Sequence, residues 1–163
     1  MAWTALPARS VGEVWTAAKQ TVVDNDITWL GTRKGCTIRR AATVSVASGS
    51  VATVTFDTED SDTDAFFAPS STTVTIPTGL GGIYAITFTT SWAVTNQVSG
   101  FIRLTAGGNA YDVSTPGVVT GAGGGSFVIP LAAADTITIG VLQNSGAAQT
   151  LNSARLQVYW VGR

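Results

Sequence analysis

From Thr43 onward the chain repeats one pattern: short runs in which apolar and polar residues alternate, separated by Gly, Pro, Asn and Ser. A period of two sends successive side chains to opposite sides of a strand, so each run reads as a strand with one face to bury. The runs span 43–46, 51–56, 72–76, 83–92, 100–105, 110–114, 126–131, 136–142 and 154–161. Between them lie Ser48-Gly49, Pro77-Thr78-Gly79, Gly107-Gly108-Asn109, Pro116-Gly117, the glycine-rich 121–125 and Asn144-Ser145-Gly146. Many short strands at this spacing, with no helices between them, predict an antiparallel sandwich or barrel and argue against a parallel α/β sheet.

The faces of two runs carry more. In 83–92, Tyr84, Ile86, Phe88 and Trp92 share one side, and Ala85, Thr87, Thr89 and Ser91 the other. That is a half-buried strand of a two-layer sandwich. In 154–161 one side holds Leu156, Val158 and Trp160, and the other Gln157, Tyr159 and Val161. Both sides are apolar. One fits the core; the second is either a subunit interface or a partly covered outer face. Charged residues are 12% of the chain against 45% hydrophobic, where an ordinary soluble domain has about 25% charged. So little charge favours burial in an assembly, which makes Tyr159 and Val161 interface candidates.

Residues 1–35 read as a separate segment ahead of a β domain at 36–163. Ser10-Val11-Gly12-Glu13 fits a capping box, and Val14, Ala18 and Val22 follow at helical spacing. This predicts a short helix over 10–30, stopped by Gly31 or Gly35. Such a helix is marginal alone in water, so its apolar stripe needs a partner. Residues 1–40 hold six Lys or Arg and three acids, while the remainder holds three Arg and seven acids. A mildly basic head on a mildly acidic body suggests two functional ends. Trp3, Trp15 and Trp29 lie in the head, and tryptophans concentrate at interfaces. Arg33 and Lys34, with Arg39 and Arg40, suit an acidic protein partner; without interleaved aromatics, and with a net charge of −1, nucleic acid is not expected.

Several chemistries are excluded. The chain has no histidine, which removes Ser-His-Asp, Cys-His and His-metal catalysis. One cysteine, Cys36, allows no intrachain disulfide. Its basic neighbours suit a lowered thiol pKa; the preferred reading is a small structural residue at the head–body junction. The glycine-rich 121–126 lacks the Gly-Lys-Ser/Thr ending of a phosphate loop and reads as a flexible hairpin loop. The acidic run Asp57, Glu59, Asp60, Asp62, Asp64 is the one notable constellation. Asp60, Asp62 and Asp64 are Ca²⁺ candidates through hard oxygen ligands; the preferred alternative is a solvated loop whose acids resist edge-to-edge pairing. No other cofactor is expected, and a carboxylate-pair glycosidase ranks last. The N-terminal residues lack the pattern of a signal peptide, and no apolar run nears the ~20 residues of a membrane span. Assembly in the cytoplasm, without membrane insertion, is the expectation.

At 55–86 the sequence meets a known pattern. Phe56-Asp57 and its acidic run lead to Thr75-Ile76-Pro77, then Gly82-Ile83-Tyr84. This resembles the globular-head jelly roll of the complement and tumour-necrosis-factor-like superfamily. Leu131-Ala132-Ala133-Ala134-Asp135 is similar to that family's Leu-x-Ala-Gly-Asp hairpin, with Ala134 in place of Gly, and Leu142-Gln143-Asn144-Ser145-Gly146 also fits. The resemblance covers about 38–163 and implies a mainly β, antiparallel jelly-roll sandwich behind the N-terminal helix. Trp15-Thr16-Ala17-Ala18-Lys19 and 23–30 are similar to the opening of phage minor tail and other virion proteins. Together the resemblances imply a non-enzymatic homotrimeric virion component, of tail, tail tip or capsid decoration, that meets other virion proteins through its head. The alternative is an adsorption module for a host cell-surface glycan or protein, although the Gly/Ser/Asn-rich loop tips offer no aromatic platform.

Overall fold

In the computed structural model the described residues are Thr21, Asp24, 33–93, 100–115 and 121–162. The chain divides into two units at Arg33/Lys34. Thr21 and Asp24 are helical and exposed; the rest of the expected helix, with Trp3, Trp15 and Trp29, lies outside the described residues.

The unit from Lys34 onward is a sandwich of two antiparallel sheets. Strands β1 (Gly35–Arg40), β2 (Val44–Val46), β3 (Ala52–Thr53), β4 (Thr58–Asp62), β5 (Val74–Thr75), β6 (Gly82–Ala93), β7 (Gly100–Ala106), β8 (Asn109–Thr115), β9 (Ala122–Leu131), β10 (Thr136–Gln143) and β11 (Gln149–Gly162) follow in chain order. The first sheet has the order β4-β1-β11-β6-β9, with β2 also on β11; the second has β3-β10-β7-β8, with β5 also on β10. Only β1–β2 and β7–β8 stay within one sheet; every other connection crosses the sandwich, which is jelly-roll topology.

Alternation along the long strands fills the space between the sheets. Ile38, Tyr84, Ile86, Phe88, Leu156 and Val158 from the first sheet meet Ile102, Leu104, Ile137, Ile139 and Val141 from the second, all fully or almost fully buried. Phe56 and Phe66 close the core from the connections, Phe66 edge-on to Tyr84 with centroids 6.2 Å apart. The side chain of Gln143 is buried but satisfied: Nε2 donates to the Val46 and Ala147 carbonyls at 3.0 and 2.7 Å, and Oε1 accepts from Ser145 N at 2.8 Å. It ties the β10–β11 connection to β2.

Three expectations need correction. Arg39 and Arg40 belong to the β body, not to a basic head, because β1 pairs along its length with β11, from Gly35↔Tyr159 to Arg40↔Ala154. Residues 35–38 are buried on both sides, so no alternation marks them. The acidic run is not wholly a loop, since Thr58–Asp62 forms an edge strand on β1. Its acids still discourage edge-to-edge pairing. The glycine-rich segment is strand from Ala122 on, not a flexible loop. Its glycines admit the neighbouring strand: a Cβ on Gly124 would lie 2.4 Å from the Phe88 carbonyl oxygen, and one on Gly125 only 3.1 Å from the Phe88 ring.

The β9–β10 turn bears out the sequence's one substitution in the hairpin motif. Ala134 has φ 69°, the left-handed region where a Cβ is disfavoured. The turn is held by Ile76, which exchanges backbone hydrogen bonds with Ala134 and Asp135, and by Asp135 Oδ2, which accepts from Ala132 N at 2.7 Å. Ala134→Gly relieves the strain at some cost in unfolded-state entropy, so a net gain of about 0.5–1 kcal/mol is expected. Chemical denaturation of both proteins checks it; a loss of stability on introducing glycine would contradict the strain.

Candidate assembly face

The side of the first sheet that faces away from the core is graded from end to end. Register sets the rows: Ile83 lies opposite Pro130, Tyr159 opposite Ala85 and Ala85 opposite Val128. The next row is Thr37, Gln157, Thr87 and Ser126; the one after is Arg39, Arg155, Thr89 and Gly124. One end is thus apolar, the middle hydroxylated and the far end cationic.

The apolar end holds most of what the fold leaves uncovered. The exposed large hydrophobics among the described residues are Val51, Ile83, Val128 and Val161, and three of these four, all but Val51, lie here, at 40%, 69% and 61% exposure. Val161 sits in a bulge of β11 beside Ile83. Pro130 is exposed, and Gly81, Gly82, Ile83, Pro130, Leu131, Ala132 and Asp135 line a shallow depression alongside. A contiguous apolar surface of this kind is unusual on a protein that acts as a monomer. At the nearby sandwich edge, Phe127 on β9 and Tyr111 on β8 are half-buried with centroids 5.3 Å apart.

The residues singled out in the sequence fall in different places. Tyr159 and Val161 are on this face, and the Tyr159 hydroxyl shares a 2.7 Å hydrogen bond with Thr37 Oγ1. Arg33 is exposed and is the last residue of the first unit. Lys34 is buried, its ammonium 3.3 Å from Asp64 Oδ1, so its charge is committed within the fold. Asp60, Asp62 and Asp64 do not converge. Asp60 faces Arg39 at 2.8 Å, Asp62 accepts from the backbone N–H groups of Asp64, Phe66 and Phe67, and Asp64 faces Lys34. Among the described residues no group of three or more acid, Cys or His side chains is placed to hold a metal. Cys36 is fully buried, and burial, helped by Asp62 and Glu59, pushes its thiol up to about 12, so it is no nucleophile. Ile83, Val128 and Pro130 were not found from the sequence, because nothing local marks them as neighbours of Val161.

Asp57 has a plain structural task. Its carboxylate accepts from Ala41 N at 2.9 Å and Ala42 N at 3.0 Å, and from the Thr58 hydroxyl at 2.8 Å. The bonds to Ala41 and Ala42 favour the charged form and hold its pKa down at about 2, from 3.8. A depressed carboxylate stabilises the fold above its unfolded pKa and ceases to as pH falls through the folded one. Asp57→Ala is therefore expected to cost about 1 kcal/mol at pH 7, a deficit that shrinks between pH 4 and pH 2. Urea titrations at pH 7 and pH 2.5 check this; an equal deficit at both would rule out the ionised carboxylate.

Comparison with known proteins supports the architecture. No family model and no curated protein matches the sequence. Solved structures do. The globular domain of a zebrafish complement 1qA protein superposes with TM-score 0.59 at 17% identity, over 80% of this chain and 98% of that one. PRD1 vertex protein P5 gives TM-score 0.63 at 18% identity, over 78% and 96%. Murine APRIL gives 0.52 at 13%, over 77% and 99%. At these identities the likeness establishes the fold, a jelly roll of the complement and tumour-necrosis-factor type.

Proposed function

We propose that this chain is a non-enzymatic structural subunit of a phage particle, a homotrimer displayed on the virion as a tail, tail-tip or capsid-decoration component and attached through its N-terminal segment. The observation that carries the proposal is the apolar end of the outer sheet face, Ile83, Val128 and Val161, in a chain with only 12% charged residues. Such a surface is stable when copies bury it. A closed ring of three needs two different contacting surfaces on each copy. The outer face supplies one, and the sandwich edge at Tyr111 and Phe127 supplies the other. The likeness to PRD1 vertex protein P5 supports the virion setting, and the virion-type pattern at 15–30 supports attachment by the head.

Light scattering on the full chain at micromolar concentration tests the assembly, with a mass of three copies expected; a stable monomer overturns it. Immunogold labelling of intact particles tests the setting, with stoichiometric labelling expected. An antibody that blocks adsorption while leaving particles intact would favour the host-attachment role instead.

A further inference from the structure

At the far end of the outer sheet face the chain breaks a rule of sheet construction. Arg39 and Arg155 are directly opposed across β1 and β11, on the same side of the sheet. Like charges so placed repel and cost stability. Asp60 answers only part of this: its Oδ1 is 2.8 Å from Arg39 Nε, but its Oδ2 is 3.8 Å from Arg155 Nη2, too long for a charge-assisted hydrogen bond. Both guanidinium side chains remain about half exposed, at 50% and 53%. Arg40 follows Arg39 on β1 and so projects to the other side of the sheet; its Nη1 donates to the Thr55 carbonyl at 2.9 Å, and its Nε is buried with no hydrogen-bond partner. The other carboxylates nearby are Glu59, opposite Ile38 on β4, and Asp57, committed to the Ala41 and Ala42 amides. These arginines, Asp60, Thr89 and Ser153 line an open cleft of about 470 Å³.

We infer that this cleft is a binding site for one phosphate or sulfate group, free or carried on a sugar. Two arginines that share a single carboxylate leave a local excess of positive charge with directed N–H donors unused. A tetrahedral oxyanion presents several acceptors to such forks, and Thr89 and Ser153 add neutral hydroxyl donors. The anion would supply the second negative charge that the Arg39–Arg155 pair lacks. A violated local rule with only partial internal compensation is where a functional site is expected. The inference does not rest on the assembly proposal. Arg155 lies four residues along β11 from Tyr159, about 13 Å at the rise of a strand, so the two sites are separable.

The test is isothermal titration of the full chain with inorganic phosphate, inorganic sulfate and glucose 6-phosphate, at fixed ionic strength set with chloride. Saturable binding is expected, weakened at least tenfold by Arg155→Gln and by Arg39→Gln. Arg103→Gln, which removes a guanidinium on the opposite sheet bound bidentately to Asp112, should leave it unchanged. Asp60→Asn should tighten binding, a gain that misfolding would not produce. Tighter binding of glucose 6-phosphate than of phosphate assigns the site to a sugar-borne group, and the reverse assigns it to the free anion. Heats no greater than those of chloride, equal loss in Arg103→Gln, or no gain in Asp60→Asn would overturn the inference. Repeating the titration in a variant altered at Val128 keeps failure of the site distinct from failure of assembly.

Discussion

Phe88→Ala is expected to lose about 3–5 kcal/mol of unfolding free energy, enough to unfold a domain of ordinary stability. Phe88 is 1% exposed and lies between layers on β6, the strand that pairs with both β11 and β9. Its ring stacks on Phe127 with centroids 6.2 Å apart and an interplanar angle of 17°. Gly125 faces Phe88 across the β6–β9 pair, and it is glycine there that leaves the ring its room. Truncation removes the buried ring and leaves a cavity that two paired strands cannot collapse into. A milder Phe88→Leu should lose about 1–1.5 kcal/mol, because most of the volume is kept. Urea titrations followed by tryptophan fluorescence measure both. A loss below about 1 kcal/mol for alanine would mean that the β6–β9 layer is loosely packed.

That core was legible because β6, β7 and most of β11 alternate and each buries one face. Tyr84, Ile86 and Phe88 on one side, with Ala85, Thr87 and Thr89 on the other, leave no second register. Legibility failed where alternation failed. Gly35–Ile38 is buried on both sides, and Thr58–Asp62 is an edge whose acids look like a loop. Gly124 and Gly125 resemble a flexible turn until Phe88 is known to lie against them. The assembly face was half legible for a related reason. Tyr159 and Val161 betray themselves within β11, whereas Ile83 and Val128 become their neighbours only through the pairing of β6 with β11 and β9. Pairing partners are set by topology, and no single strand records them. The same limit hid the opposition of Arg39 and Arg155, which stand far apart in the chain. Lys34 shows the converse: a basic residue read as outward-facing is drawn in by Asp64.

Val128→Asp is expected to dissociate the assembly while sparing the fold. Val128 is 69% exposed in the isolated chain, so a polar replacement there changes little in the folded monomer, within about 0.5 kcal/mol. Between copies the same carboxylate would be withdrawn from water against Ile83, Ala85 and Pro130, the residues beside it on β6 and β9. Among the described residues no cationic side chain lies in those rows to receive it; Arg39 and Arg155 are two rows away along the strands. An uncompensated charge in an interface costs several kcal/mol, and at 1.4 kcal/mol per decade each contact weakens by about 100-fold or more. A trimer carries the lesion at every contact, so the losses compound. Sedimentation velocity should show the wild-type chain as a trimer and the variant as a monomer at the same concentration, with matching melting curves after dilution. Val51→Asp, an equally conservative change at an exposed valine outside this face, separates a specific effect from a general one. If Val51→Asp dissociates the protein and Val128→Asp does not, the contact lies on the second sheet, and the apolar end of the first is left without its partner.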